Sequence, residues 1–259
     1  MQSSIKNIAF AGSGNVAWHL AKVLNLKEFN ITRIWSRDPS NAAALAGICD
    51  ANVSDDISGL REGADLIVIA VADKAIANVT QSIGNFNGVV VHTAGSVSVD
   101  ILKAAFKNHG VIYPLQTLSK GNQVDFGEVP FFLEASSNET FLTLKQVALR
   151  LSSKVYEADS HHRMLLHIAA VFAGNYSNLM YIIGNELLHN ANLPPDILHP
   201  IMLETTSKAV NGDPVEVQTG PARRHDTVTL EKHITALAAQ PEYAELYRLL
   251  SRLISNKYK

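Results

Sequence analysis

The sequence predicts an α/β chain in which a doubly wound, mostly parallel sheet is followed by an all-α C-terminal domain. Three observations carry that reading. Over the first half, short β-branched runs alternate with helical stretches, the succession that builds parallel pairing. Those runs are continuously apolar, as strands covered on both faces must be. From Ser160 onward the apolar period is helical.

Taken in order, Ile5 to Phe10 reads as a strand, followed by a glycine turn and a helix through Leu24. Ile31 to Trp35 is a second strand, and Asn41 to Ala46 continues as a helix. Val53 precedes a short helical connection. Asp65 to Val71 is a dense apolar strand, after which Asp73 is expected to cap a helix reaching about Ile83. Val89 to His92, Val111 to Tyr113 and Phe131 to Glu134 complete the strands. In the second half Ser160 is the expected N-cap of a helix running unbroken to about Asn190. Pro194 and Pro195 restart a helix toward Val210, and Gly212, Asp213 and Pro214 break it. Val217 to His225 reads as a loop. Asp226 to Ala238 and Pro241 to Ile254 are closing helices, the second with proline in its first turn. The expected boundary lies between Leu151 and Ser160, giving a nucleotide-binding domain at 1–152 and an all-helical substrate and dimerisation domain at 153–259.

Composition narrows the function classes. The 259 residues are 47% hydrophobic and 18% charged, enough to bury a core. The net charge of −2 comes with no basic block, which argues against a nucleic-acid partner. Cys49 stands alone, so no disulfide or thiolate metal framework is expected, and the reading is cytoplasmic. The polar stretch Met1 to Asn7 shows no signal-peptide pattern. The most apolar stretch, Met164 to Ile183, contains His167, Asn175 and Asn178 and reads as a buried helix, with no membrane association expected.

The strongest motif is Gly12-Ser13-Gly14-Asn15-Val16-Ala17, a G-x-G-x-x-A turn between a strand and a helix. Gly12 permits the tight turn, Gly14 lets backbone approach a pyrophosphate, and Ala17 keeps helix and strand close. The helix N–H groups then face the phosphates. With alternating β and α elements beyond it, this is a Rossmann fingerprint. An NAD binder usually carries an acid at the end of the second strand, for the ribose 2′-hydroxyl. Here Ser36 and Arg37 hold that place, suited to a 2′-phosphate, and NADP(H) is the expected cofactor. Asp38, before Pro39, reads as a turn or a helix cap.

Ligands in such sheets bind at the carboxyl ends of the strands. Val71, Ala72 and Asp73 follow one strand and are expected near the cofactor ribose. Thr93, Ala94 and Gly95 follow the next and are expected by the nicotinamide, with Ser96 toward the substrate. The alternatives are local: Asp73 as a cap, His92 as a satisfied core histidine, Ser96 as the start of a helix. On the long helix His167, Asn175 and Asn178 fall within roughly an 80° arc at about 100° per residue. Buried polar groups on an apolar helix need partners, either a helix-to-helix network or a substrate pocket at the domain interface. Arg223 and Arg224, beside Gly220-Pro221, could clamp a carboxylate or form a salt bridge, and Asp226 could cap the next helix. His161 and His162 are neighbours on a helix and point about 100° apart, so no metal site is expected.

The sequence resembles a two-domain family of candidate NADP oxidoreductases. That family joins a Rossmann-like domain, similar to the N-terminal domain of pyrroline-5-carboxylate reductase, to a helical domain of unknown function. The matching motifs are the Gly12–Ala17 turn, Ala64 to Asp73, His92 to Ser96, His167 to Asn175 and Thr219 to Asp226. More distantly the layout is similar to β-hydroxyacid dehydrogenases and ketopantoate reductases. Those enzymes carry a catalytic lysine four residues before an asparagine. Asn175 matches the asparagine, but Val171 holds the lysine position, and His167, one turn earlier, is the nearest substitute. Two departures from the closer family are Tyr113, where histidine is expected, and His225, where glycine is expected.

The resemblance and the residues together imply an NADP(H)-dependent oxidoreductase acting on a small, carboxylated carbonyl or imine. His167 would handle the proton, Asn175 would orient the reacting atom, and Asn178, Arg223 and Arg224 would bind substrate. The alternative is a non-catalytic NADP(H)-binding regulatory or interaction protein. The helical half is apolar over more of its circumference than one small domain covers, so a homodimer is expected.

Overall fold

The computed structural model describes residues 5–259, so the part of the leader reading that rests on residues 1–4 lies outside the described residues. The chain divides into two compact units, Met1–Asn175 and Tyr176–Lys259.

The first unit carries eight strands: β1 Asn7–Ala11, β2 Asn30–Trp35, β3 Asn52–Val53, β4 Leu66–Ile69, β5 Val89–His92, β6 Asn108–Pro114, β7 Phe131–Ala135 and β8 Val155–Glu157. Its helices are α1 Asn15–Leu26, α2 Pro39–Cys49, α3 Ile76–Ile83, α4 Asn138–Leu149 and α5 Ser160–Ala170. The strands form one sheet in the order β3-β2-β1-β4-β5-β6-β7-β8. The strand order reverses at β1, which opens a crevice at the carboxyl ends of β1 and β4. All neighbours are parallel except β6 and β7. The exception follows from the connections. Only a short 3-10 turn, Phe126–Glu128, lies between β6 and β7, whereas α4 supplies the crossover from β7 to its parallel neighbour β8.

The period of two along each strand sends its side chains to opposite faces. Ile8, Phe10, Leu66 and Val68 join a core with Leu20 and Leu24 of α1, Leu45 of α2 and Leu144 of α4. Ala9, Ala11, Ile67 and Ile69 join a second core with Ile76, Val79 and Ile83 of α3. Both faces are covered, which is why these strands read as unbroken apolar runs.

Several expectations on the elements are corrected. Asp73 does not cap α3; it opens a 3-10 turn, Asp73–Ala75, and its carboxylate accepts instead from Ser96. Asp38 does cap α2, with Pro39 in the first turn. The strand β8 and the helix α4 were not anticipated. Three residues on a sheet edge give no readable period, with Tyr156 and Glu157 exposed. The signal for α4 was present: Leu144, Val147 and Ala148 are its buried stripe and Ser137 its cap. Ser160 is not the cap of α5. Asp159 holds that place, accepting from the His162 N–H at 2.8 Å. The helix expected to run unbroken from Ser160 is interrupted by a π turn, Val171–Tyr176.

The second unit is helical: α6 Ser177–Asn190, α7 His199–Asn211, a single turn α8 Pro214–Val217, α9 Thr227–Ala236 and α10 Pro241–Lys257. Asp213 and Asp226 cap α8 and α9. Ala222 and Ala244 are the buried apolar side chains of this unit among the described residues, while Leu179, Ile182, Ile201, Leu203 and Leu253 are exposed. No helix among the described residues is long and apolar enough to cross a membrane.

Candidate cofactor and active site

The glycine turn is built as the cofactor chemistry requires. Gly12 has φ +120°, where an L side chain is strained, and its N–H donates to the Trp35 carbonyl at 2.7 Å. A Cβ on Gly12 would lie 2.3 Å from the Ala70 carbonyl oxygen, so the turn closes tightly against the end of β4. Gly14 is the N-cap of α1, and no side chain caps that helix. A Cβ on Gly14 would meet open space. The first N–H groups of α1 are thereby left without a side-chain partner beside an open approach, which fits a pyrophosphate. Asn15 is exposed and Val16 half-buried at the same helix end.

At the end of β2 the Ser13 hydroxyl donates to the Ser36 hydroxyl at 2.8 Å, tying the glycine turn to the place where a 2′-phosphate would be read. Arg37 is exposed beside it. Asp38 is turned to its own helix, accepting from Ser40 and Asn41, and these bonds hold its carboxyl below the usual range. The Asp38 carboxylate is thus engaged as the cap of α2, two residues beyond Ser36.

The loops after β4 and β5 meet through the Ser96 hydroxyl, which donates to Asp73. Val71 is half-buried and Ala72 exposed on the first loop; on the second Thr93 is buried and Ala94 half-buried. His92, fully buried at the end of β5, accepts from the Ala94 N–H through Nδ1 at 3.2 Å, while Nε2 has no partner among the described residues. It is a core histidine satisfied on one side only. Burial foremost, and then the charge of Arg163, pushes it down to about 4, against weaker opposing effects of the Ser98 main chain and Asp73. His92 is neutral near pH 7.

Three segments converge on Gly95. A Cβ there would lie 2.8 Å from Cζ of Tyr113 and 2.9 Å from Cβ and Cγ of His167. These segments are the β5 loop, the end of β6 and α5. Tyr113 Oη lies 3.1 Å from His167 Nδ1, with the two rings edge to face. Burial holds the Tyr113 phenol above its ordinary range; the positive charge of Arg163 opposes this and Asp73 adds to it.

One turn before His167, Arg163 is fully buried. Its guanidinium donates to Glu134 at the end of β7, to the carbonyls of Ala94 (3.2 Å) and Val97, and to the Ser160 hydroxyl (3.2 Å). Ser160 in turn donates to Glu134 at 2.9 Å and accepts from the Val99 N–H at 3.1 Å. Arg163 therefore grips the main chain on both sides of Gly95 and Ser96. Sequence reasoning missed Arg163, Glu134 and the part played by Tyr113. The available signal was the spacing of four between Arg163 and His167, which places both on one helix face. Glu134 is 29 residues away, and no local pattern announces the pair.

The surroundings of the other expected site residues are local. Asn175 sits in the π turn and is exposed, as is Asn178 at the start of α6. The premise that their burial must be compensated is corrected, and so is the even 100° step between them, because a π turn winds differently. Arg223 donates to the carbonyls of Glu216 and Gln218 and lies over the Tyr258 ring at 5.1 Å; Arg224 is exposed. Asp226 caps α9 through Thr229. His225 has φ +55°, the left-handed conformation that glycine adopts most easily.

A reversed strand order, a glycine turn at the crevice and an open helix N-terminus define a dinucleotide-binding protein. Comparison with known proteins narrows the class. Residues 7–96 match the family described as NADP oxidoreductase coenzyme F420-dependent, and residues 129–254 match a domain of unknown function, DUF2520. A Bacteroides fragilis protein whose structure is described as that of a candidate NADP oxidoreductase is 40% identical, covering 97% of this chain and 98% of its own, with a TM-score of 0.92. The chain belongs to this family of two-domain NADP oxidoreductases, and its cofactor is NADP(H). The fold is shared with a reductive aminase from Aspergillus terreus solved with NADPH and ethyl-5-oxohexanoate (17% identity, 98% and 93% coverage, TM-score 0.71). It is also shared with a pyrroline-5-carboxylate reductase from Coxiella burnetii (16%, 99% and 98%, 0.58). No curated protein matches the chain.

Proposed function

We propose that this oxidoreductase acts on a small, carboxylated carbonyl or imine whose reacting atom lies over Gly95. The observation that carries this reading is the convergence of Gly95, Tyr113 and His167 at the end of β5. The Gly12–Val16 turn would hold the cofactor pyrophosphate, Ser36 and Arg37 its 2′-phosphate, Val71, Ala72 and Asp73 a ribose, and Thr93, Ala94 and Gly95 the nicotinamide side. When bound, NADP(H) supplies or takes up a hydride. In the reduction direction His167, whose ring closes on Gly95, supplies the proton. Ser96 and Asn178 contact the substrate, Asn175 orients the reacting oxygen or nitrogen, and Arg223 or Arg224 holds a carboxylate. In this reading residues 1–152 serve the cofactor and residues 153–259 the substrate and a homodimer, in the cytoplasm. The exposed apolar side chains of α6, α7 and α10 support the dimer, because the apolar stripe of a helix needs a surface to cover it.

A thermal-shift titration tests the cofactor half. NADPH should bind more tightly than NADH by about ten- to a hundred-fold, the value of a charge-assisted contact of about 1.5–3 kcal/mol, and Arg37→Ala should erase most of the difference. A screen of carboxylated ketones and imines with NADPH oxidation as readout tests the chemistry. With a substrate in hand, His167→Gln should lower turnover about 10²–10⁴-fold and leave NADPH affinity unchanged. Tight NADPH binding with no turnover across such a screen favours a second reading, a cofactor-responsive binding protein, to which Val171 at the lysine position also points.

A further inference from the structure

We infer that Tyr113 fixes the tautomer of His167, keeping its proton on Nε2, so that the imidazole offers a hydrogen-bond donor and the site takes an acceptor atom. A carbonyl oxygen or an unprotonated imine nitrogen fits; an iminium or ammonium cation, itself a donor, does not.

The argument starts from the contact of 3.1 Å between Tyr113 Oη and His167 Nδ1. A neutral imidazole has one N–H and one lone pair, and the partner of one nitrogen decides the state of the other. A phenol O–H is a stronger acid than an imidazole N–H, and an imidazole nitrogen is a stronger base than a phenol oxygen. The favourable pairing is therefore O–H donating to Nδ1, which leaves the ring proton on Nε2. Tyr113 is 8% exposed, and its surroundings keep the phenol protonated and able to donate. Gly95 packs against both rings within 3 Å of where its Cβ would be, which holds the pair together. With Nδ1 engaged by Tyr113, Nε2 is the nitrogen of the half-buried His167 ring that remains for a ligand. Tyr113 is thus a positioning residue acting through His167. The ligand class rests on the oxidoreductase reading above; the tautomer does not.

Nitrogen NMR on protein labelled with ¹⁵N-histidine, free of cofactor, tests the tautomer directly. His167 is assigned by the signals that vanish in His167→Gln. Neutral His167 in the unaltered protein should give the Nε2–H pattern, and Tyr113→Phe should move its two nitrogen shifts toward those of a tautomer mixture. An Nδ1–H pattern in the unaltered protein, or an unchanged pattern in Tyr113→Phe, overturns the inference. The first of these outcomes does not depend on Tyr113→Phe folding. Addition of millimolar levulinate to NADP⁺-loaded protein should shift the His167 Nε2 signal, while 4-aminopentanoate, its ammonium counterpart, should not. Equal shifts from both, or a shift from neither, removes the ligand half even where the tautomer is as expected.

Discussion

In the sheet unit Ile8, Phe10, Ile67, Ile69 and Phe131 are fully buried, whereas in the helical unit Leu203 is 72% and Val210 76% exposed. The sheet unit closes two cores with its own helices; the helical unit buries little beyond Ala222 and Ala244. The difference lies in how each element hides its apolar side. A parallel strand has two faces, and the crossover helices that parallel pairing demands cover both. A helix has a stripe that needs a neighbouring surface, and the second unit leaves its stripes uncovered.

The largest expected effect sharpens the account of the sheet unit. Arg163→Met should destabilise it by about 3–5 kcal/mol in denaturant unfolding, because it leaves Glu134 in a largely buried site without its partner. The double variant Arg163→Met, Glu134→Gln should lose less than the single one. Additive losses would mean that the two side chains do not act as a pair.

Next comes His92. Its folded pKa, about 4, lies below the ordinary value near 6.5. Between those limits the unfolded chain binds a proton that the folded chain does not, so stability rises with pH across that window. The contribution is complete above pH 6.5 and lost as pH falls toward 4, on the order of 3 kcal/mol. Unfolding free energies at pH 7 and pH 4.5 check this: His92→Gln should flatten the slope, and an equal slope in both proteins would remove His92 as its source.

Leu203→Asp breaks or supports the comparison itself. On a surface open to water the change should stay within about 0.5 kcal/mol, whereas a surface covered by a second copy should respond like a core, by about 2 kcal/mol or more. The expected result is the larger loss, with a melting temperature that rises with protein concentration and a dimeric mass that falls to monomer in the variant. Sedimentation and scanning calorimetry read both.

The smallest effect should not distinguish the units. Ser137→Ala removes the cap of α4 and should cost about 1 kcal/mol. Asp226→Ala removes the cap of α9, and its shift in melting temperature should be no greater, since a cap is local wherever its helix packs. A much larger loss for Asp226 would give the Thr219–Asp226 loop a wider structural role.

The sequence by itself determined the parts whose physics is local. Gly12 and Gly14 announced the tight turn and the open helix end, the apolar runs announced strands covered on both sides, and Ser36-Arg37 announced a strand end without an acid. His167 was visible as a titratable group on an apolar helix. Only the tertiary structure decided the rest, because it depends on residues far apart in the chain. It paired Arg163 with Glu134 across 29 positions and Tyr113 with His167 across 54, and it set Gly95 between them. It also placed a π turn at Val171–Tyr176, where an even helical count failed. A side chain's local pattern says which face it shares with its neighbours; what stands opposite that face is fixed only when the strands and helices have packed.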